Sequence, residues 1–295
     1  ILGRVYVAEE GINAQISVPD HKWNSFKDYI NTSSILKGIK LKKAVQEGLS
    51  FLKLTIKVKE EIVAYNLPKD TYDINKVGKH LSAKEFNTSI DQNDAVVVDM
   101  RNYYESEVGK FEGAITPDVD RSKELLPEVA KLLADKKDKK LHLYCTGGIR
   151  CEKASSYLLK QGFKEVYQLD GGIVQYAHDI KKENLPSKFI GKNFVFDNRL
   201  GEKVTNHIIG KCHQCEHKAD SHTNCANDAC HILFIQCDNC KTTYNGCCSE
   251  DCKDFAQLDI QTQKELRKDV TKTVSSSKLS SKIKPKLYQL FNYWK

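Results

Sequence analysis

The stretch Tyr144-Cys145-Thr146-Gly147-Gly148-Ile149-Arg150-Cys151 is the most informative part of this 295-residue chain. It follows an apolar strand pattern and leads into a helical pattern, so a cysteine stands at a strand end and a glycine-rich loop opens the next helix. The two glycines let such a loop curl until its backbone N–H groups point inward. These groups and the positive end of the helix dipole stabilise a thiolate or a persulfide, so we expect a low pKa for Cys145.

The number of residues between Cys145 and Arg150 indicates which kind of ligand the loop can hold. Four residues separate Cys145 from Arg150, whereas loops of the tyrosine-phosphatase type place the arginine one residue later and make room for phosphate. The tighter loop suits a terminal sulfur atom. It resembles the active-site loop of rhodanese domains, which carry sulfur as a cysteine persulfide. The alternative interpretation is a buried structural cysteine in a tight turn.

Cys145 is therefore the predicted nucleophile or persulfide carrier. Arg150 is the second predicted catalytic residue, because its fork of donors can orient an anionic ligand. A salt bridge that holds the loop is the alternative for Arg150. Cys151 either forms a disulfide with Cys145 or is an ordinary helix residue.

Further residues are predicted to support the loop. Those within it are Thr146, Gly147, Gly148 and Ile149. Asp99 and Arg101 stand at the carboxyl end of another buried strand, and the carboxyl ends of parallel strands meet at one edge of a sheet. We therefore expect Asp99 and Arg101 to brace the loop.

Alternating strand and helix patterns surround the loop. Short apolar strands are predicted at 96–99, 141–144 and 165–169, and helices at 123–134 and 151–161. Continuous apolar strands of this kind are typical of a parallel sheet that is covered on both faces. The pattern predicts a doubly wound α/β domain over roughly 81–185, with its ligand at the carboxyl ends of the strands.

The N-terminal region has a different pattern. Strands are predicted at 4–8, 12–18, 41–45 and 51–58, with a helix that Asp20 caps and that runs through about Ile30. This order predicts part of an α+β, ferredoxin-like domain over 1–65, followed by a polar linker over 66–80. The chain begins without Met, so we expect its true start to lie upstream and the domain to be incomplete.

Nine of the eleven cysteines lie between Cys212 and Cys252, after a connector over 186–208. Two CxxC pairs within this module (209–254) predict zinc, because such spacing lets two thiolates hold one tetrahedral ion. One predicted set is Cys212, Cys215, Cys237 and Cys240. The second is Cys225, Cys230, Cys252 and one of Cys247 or Cys248, with Cys248 preferred. Both ions would be structural, and disulfides or redox switching are the alternative.

The remaining segment, 255–295, reads as a polar and mobile tail. Residues 264–295 hold nine Lys and Arg against two acids, which equals the net charge of +7 of the whole chain. Such a tail favours an acidic partner such as RNA. The predicted RNA contacts are Lys282, Lys284, Lys286 and Trp294, and a helix that docks on the protein body is the alternative. The sequence contains no run of about 18 apolar residues, so it predicts no membrane span. It also shows no signal-peptide pattern.

Several motifs together resemble the rhodanese-domain tRNA wobble-uridine hydroxylases (the TrhO family). They are RVYVAEEGIN at 4–13, DMRNYYE at 99–105, CTGGIRCEK at 145–153, DGGI at 170–173, FIGKNFVFD at 189–197 and the cysteine module. The resemblance implies an acylphosphatase-like N-terminal domain, a central rhodanese domain and Cys145 as a persulfide-forming catalytic residue. It also implies oxygen-dependent 5-hydroxylation of the wobble uridine in tRNA by a cytoplasmic enzyme.

Two other functions remain open at this level. The loop also suits a sulfurtransferase that carries sulfane sulfur on Cys145. A non-enzymatic zinc and RNA adaptor with a vestigial rhodanese domain is the third hypothesis, although an intact Cys145 and Arg150 argue against it. For hydroxylation, the required co-reactants would be O₂ and an electron donor that the sequence does not identify.

Overall fold

The computed structural model describes residues 1–39, 41–42 and 50–273, and it describes side chains up to residue 266. The chain divides into two compact units. The first comprises Ile1–Met100, Val129–Pro186 and Val195–Arg199, and the second comprises Arg101–Glu128, Ser187–Phe194 and Leu200–Lys295.

The elements alternate between strands and helices through most of the chain. The first half contains β1 (Leu2–Ala8), β2 (Gly11–Ser17), a 3-10 turn (Asp20–Lys22), α1 (Trp23–Thr32), β3 (Leu54–Val58), a second 3-10 turn (Lys69–Thr71), β4 (Lys79–Leu81), α2 (Ala83–Ile90), β5 (Ala95–Asp99), α3 (Tyr103–Ser106), β6 (Gly109–Phe111) and α4 (Ser122–Leu132). The second half contains β7 (Lys140–Tyr144), α5 (Ile149–Lys160), β8 (Glu165–Leu169), α6 (Gly172–Lys182), β9 (Phe189–Asn193), β10 (Glu202–Lys203), β11 (His222–Asn224), β12 (Leu233–Ile235), α7 (Asp238–Thr243), α8 (Glu250–Gln257) and α9 (Ile260–Thr273).

The first unit contains a parallel sheet of the order β4-β8-β7-β5. Strands β5 and β7 carry side chains that are fully buried, among them Val98, Leu141 and Leu143. Burial on both faces explains why the strands read as continuous apolar runs in the sequence. The predicted doubly wound domain is thus confirmed, and Cys145 follows the carboxyl end of β7.

The same unit contains a second, three-stranded sheet of the order β2-β1-β3. β1 pairs antiparallel with β2 and parallel with β3. The predicted strand at 41–45 falls mostly outside the described residues. The prediction that Asp20 caps the helix was wrong, because Asp20 belongs to the 3-10 turn and α1 begins only at Trp23, with Lys22 as its N-cap.

The segment predicted as a linker, 66–80, is hydrogen-bonded to α5. The Ser156 hydroxyl donates to the carbonyl oxygen of Asp73 (2.6 Å), and the Gly78 N–H donates to the Ser155 hydroxyl (2.8 Å). Both serines are buried. Because these bonds use backbone groups of the segment, they attach it along the helix that follows the Cys145 loop.

The second unit contains the antiparallel sheet β10-β9-β6 and the hairpin β11-β12. Its cysteine-rich part ends in α8 and α9, so residues 255–273 of the predicted mobile tail are largely helical. The four predicted RNA contacts in that tail lie outside the described residues. Within the described part of the chain, no helix is long and apolar enough to cross a membrane.

Candidate active-site loop and cysteine-rich metal centre

The Cys145 loop connects the end of β7 to the start of α5. Gly148 is the N-cap of α5 and has a φ of +91°, a left-handed conformation that favours glycine. Its backbone N–H donates to the Cys145 sulfur at 3.1 Å. The loop thus turns a backbone donor towards the sulfur, as the glycine pattern predicts.

The environment of Cys145 favours the thiolate. Complete burial alone would raise the pKa of Cys145. A hydrogen bond from the Cys151 thiol, the positive charge of Arg150 and the backbone N–H groups of Arg150 and Cys151 outweigh that effect and lower the pKa to about 5. The sulfur is therefore ionised at neutral pH, which is the reactive form.

Cys151 is the donor partner of this pair. Its thiol is fully buried, and burial together with its hydrogen bond to Cys145 raises the pKa of Cys151 well above the usual range. Neither cysteine is in a disulfide. A thiol that keeps its proton at neutral pH can stabilise the neighbouring thiolate continuously.

Arg150 is buried and held from several sides. Its guanidinium donates to the Thr146 hydroxyl at 3.1 Å and lies over the Phe196 ring at 5.9 Å. Its backbone carbonyl accepts a hydrogen bond from the Tyr65 hydroxyl at 3.2 Å. These contacts fix the side chain beside Cys145, where its charge lowers the pKa of the thiol.

The back of the loop rests on the N-terminus of α6. The N–H groups of Ile173 and Val174 donate to the carbonyl oxygens of Cys145 (3.0 Å) and Thr146 (3.1 Å). Gly172, with a φ of +65°, lies so close that an added Cβ would be 2.5 Å from the Cys145 carbonyl oxygen. A glycine is therefore required behind the loop, a role that the sequence motif at 170–173 did not reveal.

Asp99 and Arg101 have separate contacts. The Asp99 carboxylate accepts a hydrogen bond from the Tyr144 hydroxyl at 2.7 Å, so it holds the residue that precedes Cys145. Arg101 belongs to the other unit, where it donates to the Gly109 carbonyl oxygen at 2.6 Å. The bracing role of Asp99 is supported by this contact, and that of Arg101 stays a prediction.

Lys42 is a loop contact that the sequence gave no reason to expect. Its ammonium group donates to the Gly147 carbonyl oxygen at 2.6 Å. Lys42 also lines a cavity of about 340 Å³ together with Ser82, Asp170 and Gly171. Only the three-dimensional structure brings this exposed lysine, more than a hundred residues earlier in the chain, to the loop.

The cysteine-rich part of the second unit gathers two groups of four sulfur atoms. One group is Cys212, Cys215, Cys237 and Cys240, and the other is Cys225, Cys230, Cys248 and Cys252. Within each group, the sulfur atoms all lie within 4.8 Å of one another. Cys247 is buried beside the second group but is not part of it. The structure thus brings the predicted sets together and selects Cys248 over Cys247.

The spacing of these sulfur atoms fits a tetrahedral metal ion. Four sulfurs at about 2.3 Å from a zinc ion would be about 3.8 Å apart. The distance from Cys215 to Cys237 is 3.6 Å, and Cys248 lies 3.7 Å from Cys230 and 3.6 Å from Cys252. None of the eleven cysteines forms a disulfide, whose sulfur atoms would be only about 2 Å apart. Both groups could hold a metal ion and are compatible with zinc.

Comparison with known proteins assigns the regions of the chain. Family models match an acylphosphatase-like domain of the UPF0176 type at residues 1–62, a rhodanese-like domain at 82–179 and a C-terminal region described as "Rhodanase C-terminal" at 190–253. A solved rhodanese-like domain from Anabaena aligns with 38% of this chain and 78% of its own at 16% identity, with a TM-score of 0.31. The domain models and the Cys145 loop define a rhodanese-like protein.

Curated relatives identify the family within that class. A tRNA uridine(34) hydroxylase from Leptospira interrogans is 49% identical over 90% of this chain and 73% of its own length. Proteins of the same name from Photorhabdus laumondii and Pectobacterium carotovorum are each 48% identical over 90% of this chain and 76% of their own length. The chain belongs to the tRNA uridine(34) hydroxylase family, as its motifs indicated.

Proposed function

We propose that this protein hydroxylates the wobble uridine of tRNA at C5 in an oxygen-dependent reaction. The observation that carries the proposal is the identity of nearly half of the residues to tRNA uridine(34) hydroxylases over 90% of the chain. A tRNA substrate and a full set of unbridged cysteines fit a cytoplasmic enzyme.

Cys145 is the proposed catalytic residue. Its pKa of about 5 keeps it as a thiolate at neutral pH. The thiolate can attack the outer sulfur of a sulfane donor such as thiosulfate, so that a new S–S bond forms the persulfide while the S–S bond of the donor breaks and sulfite leaves. Arg150, held by Thr146 and Phe196, stabilises that anion and orients anionic groups that approach it. Gly148 and Gly172 maintain the loop conformation from the front and the back.

Hydroxylation also requires an oxidant and electrons. One oxygen atom of O₂ enters the new C5–OH group, and the other leaves as water with two protons and two electrons from a donor. We propose that a separate small-molecule or protein donor supplies these electrons. The Cys145 loop would then hold the uridine and O₂ in position for the reaction.

The two groups of four cysteines are proposed to hold zinc. With four thiolates each, they would leave no open position for a substrate, so their role would be structural. Metal binding would supply folding free energy to a part of the chain in which β11 and β12 have only three residues each.

The test is nucleoside mass spectrometry of bulk tRNA. Cells that lack this gene and the related pathways for the same modification are rescued with the wild type, with Cys145→Ser or with Cys151→Ser. We expect 5-hydroxyuridine after rescue with the wild type and none with Cys145→Ser. Cys151→Ser, which keeps a donor beside Cys145, should retain part of the activity. No 5-hydroxyuridine with the wild type would contradict the proposal.

Sulfur transfer is the second candidate, and the ionised sulfur of Cys145 is the observation that favours it. A sulfurtransferase would form thiocyanate from thiosulfate and cyanide with many turnovers. A hydroxylase would show negligible turnover in this assay. A non-enzymatic adaptor would not need a thiolate at Cys145. Full rescue by Cys145→Ser would therefore favour the adaptor hypothesis.

A further inference from the structure

The sheet β2-β1-β3 has two faces of opposite character. Side chains alternate between the faces of a strand, and directly paired residues share a face. On one face, Val5 and Val7 pair with Ile56 and Val58 of β3. The opposite face therefore carries Arg4 and Tyr6 of β1 with polar and basic neighbours.

These neighbours are identified by the register. Tyr6 pairs with Lys57 of β3 and with Asn13 of β2, and Arg4 pairs with Gln15. Lys59 follows β3 on the same face, since its ammonium group lies 5.7 Å from the centre of the Tyr6 ring. No acidic residue belongs to β1, β2 or β3. We call Arg4, Tyr6, Asn13, Gln15, Lys57 and Lys59 the basic face.

Three of the four glutamates at the edge of this sheet, Glu9, Glu10 and Glu61, are paired with lysines, and Glu60 is exposed. Glu10 and Glu61 bind the buried ammonium group of Lys153 at 3.1 and 2.8 Å. Glu9 lies 3.4 Å from Lys69. Lys57 and Lys59, in contrast, are exposed. The residues that the register places on this face therefore carry positive charges only.

The basic face is continuous with the Cys145 loop. Arg4 donates a hydrogen bond to the carbonyl oxygen of Phe196, and its guanidinium lies over the Phe51 ring at 5.8 Å. Phe196 in turn carries the guanidinium of Arg150 on its ring. Two contacts thus connect β1 to the residue beside Cys145. All of these residues belong to the first compact unit.

We infer that the basic face is an RNA-binding surface that guides the tRNA strand towards Cys145. Lysines and arginines neutralise phosphates, while a tyrosine ring and amide side chains are suited to stack on and hydrogen-bond with unpaired bases. The uridine to be modified lies in the anticodon loop, which is single-stranded. This inference rests on the proposed function for the identity of the RNA, but the surface itself is defined by its charge and its position.

The experiment compares two pairs of substitutions that remove the same charge. Lys57→Gln with Lys59→Gln alters the basic face. Lys22→Gln with Lys27→Gln alters exposed lysines of the 3-10 turn and α1 in the same domain but off the sheet. Binding of an unmodified tRNA transcript is measured over a range of salt concentrations, and thermal unfolding confirms that each variant is folded.

We expect at least about tenfold weaker binding for the pair on the basic face at moderate salt. The slope of log K against log salt should become shallower by about 1.4 to 1.8, because each lost phosphate contact contributes about 0.7 to 0.9. The control pair should bind like the wild type. In multiple-turnover assays, the basic-face variant should have a raised KM and an unchanged kcat.

Other results would overturn the inference. Unchanged binding by the basic-face pair would exclude this surface, as would an equal loss from both pairs. If the wild type still restored 5-hydroxyuridine in cells, the proposed function would stand while the surface failed. Conversely, a selective loss of tRNA binding by the basic-face pair supports the surface even if hydroxylation is never observed.

Discussion

Gly172 lies directly behind Cys145, with room for no side chain. An added Cβ would be 2.5 Å from the Cys145 carbonyl oxygen and within 2.8 Å of the amide nitrogens of Gly147 and Gly148. These groups are backbone and cannot move aside as a flexible side chain can. The reactive loop is therefore fixed by a glycine that is distant from it in sequence.

Gly172→Ala should disrupt the loop. The clash with backbone atoms adds to the strain of a left-handed φ, so we expect a loss of about 2 kcal/mol or more in the free energy of unfolding and a large loss of activity. Gly113→Ala is the matched control, because Gly113 has a φ of +70° with no atom within 4 Å of the added Cβ. It should cost about 1 kcal/mol and leave activity intact. Equal effects of the two substitutions in urea unfolding would contradict the role of Gly172.

The pKa of Cys145 can be measured from the ultraviolet absorbance of the thiolate. The difference between the wild type and Cys145→Ser should titrate with a midpoint near pH 5. Arg150→Met and Cys151→Ala should each raise that midpoint, because they remove the nearby positive charge and the hydrogen-bond donor. A wild-type midpoint above pH 8 would show that burial dominates instead.

The low pKa of Cys145 also makes the free energy of unfolding depend on pH. A thiol whose pKa is lower in the folded state than in the unfolded state stabilises the fold above the unfolded pKa. This contribution decreases as the pH falls from about 9 towards 5. In urea unfolding, the free energy of unfolding of the wild type, measured relative to that of Cys145→Ser, should therefore decrease as the pH is lowered. A difference independent of pH over this range would contradict the low pKa.

Metal analysis should find two zinc ions per chain. Cys215→Ser and Cys248→Ser should each lose one of them, since each substitution removes a ligand from one group of four sulfurs. Cys247→Ser is the control, because Cys247 is the immediate neighbour of Cys248 but lies outside the group. Mass spectrometry of the native protein gives the count directly. Loss of zinc from Cys247→Ser with retention in Cys248→Ser would show that the assignment is reversed.

Lys153→Met should destabilise the protein. It leaves the carboxylates of Glu10 and Glu61, which are 17% and 20% exposed, without their shared ammonium partner. We expect a loss of about 2 kcal/mol in the free energy of unfolding. Lys69→Met breaks a similar pair with Glu9 that is about 90% exposed, so it should produce no measurable change. Comparable stabilities of the two variants would indicate that the Lys153 pair is also solvated.

Local patterns in the sequence were sufficient to predict the core of the site. The apolar run before Cys145 and the glycines after it specify a strand, a loop and a helix, and the CxxC pairs specify clustered thiolates. Contacts between distant segments were not predictable in this way. Lys42, Gly172 and the Lys153 pair depend on tertiary packing, and the short strands β6 and β9 pair across some eighty residues. The expected cap at Asp20 failed because the chain first makes a separate 3-10 turn.

The attachment of α5 has a consequence for how this protein can be divided. Tyr65 binds the backbone of Arg150, Lys153 binds two glutamates of the N-terminal region, and Ser155 and Ser156 bind the segment before β4. The helix that follows the Cys145 loop thus receives part of its hydrogen bonding from residues before 81. The rhodanese region should therefore not be stable when it is excised alone: removal of the residues before it would expose the buried ammonium group of Lys153 and leave the hydroxyls of Ser155 and Ser156 without their partners in the preceding segment.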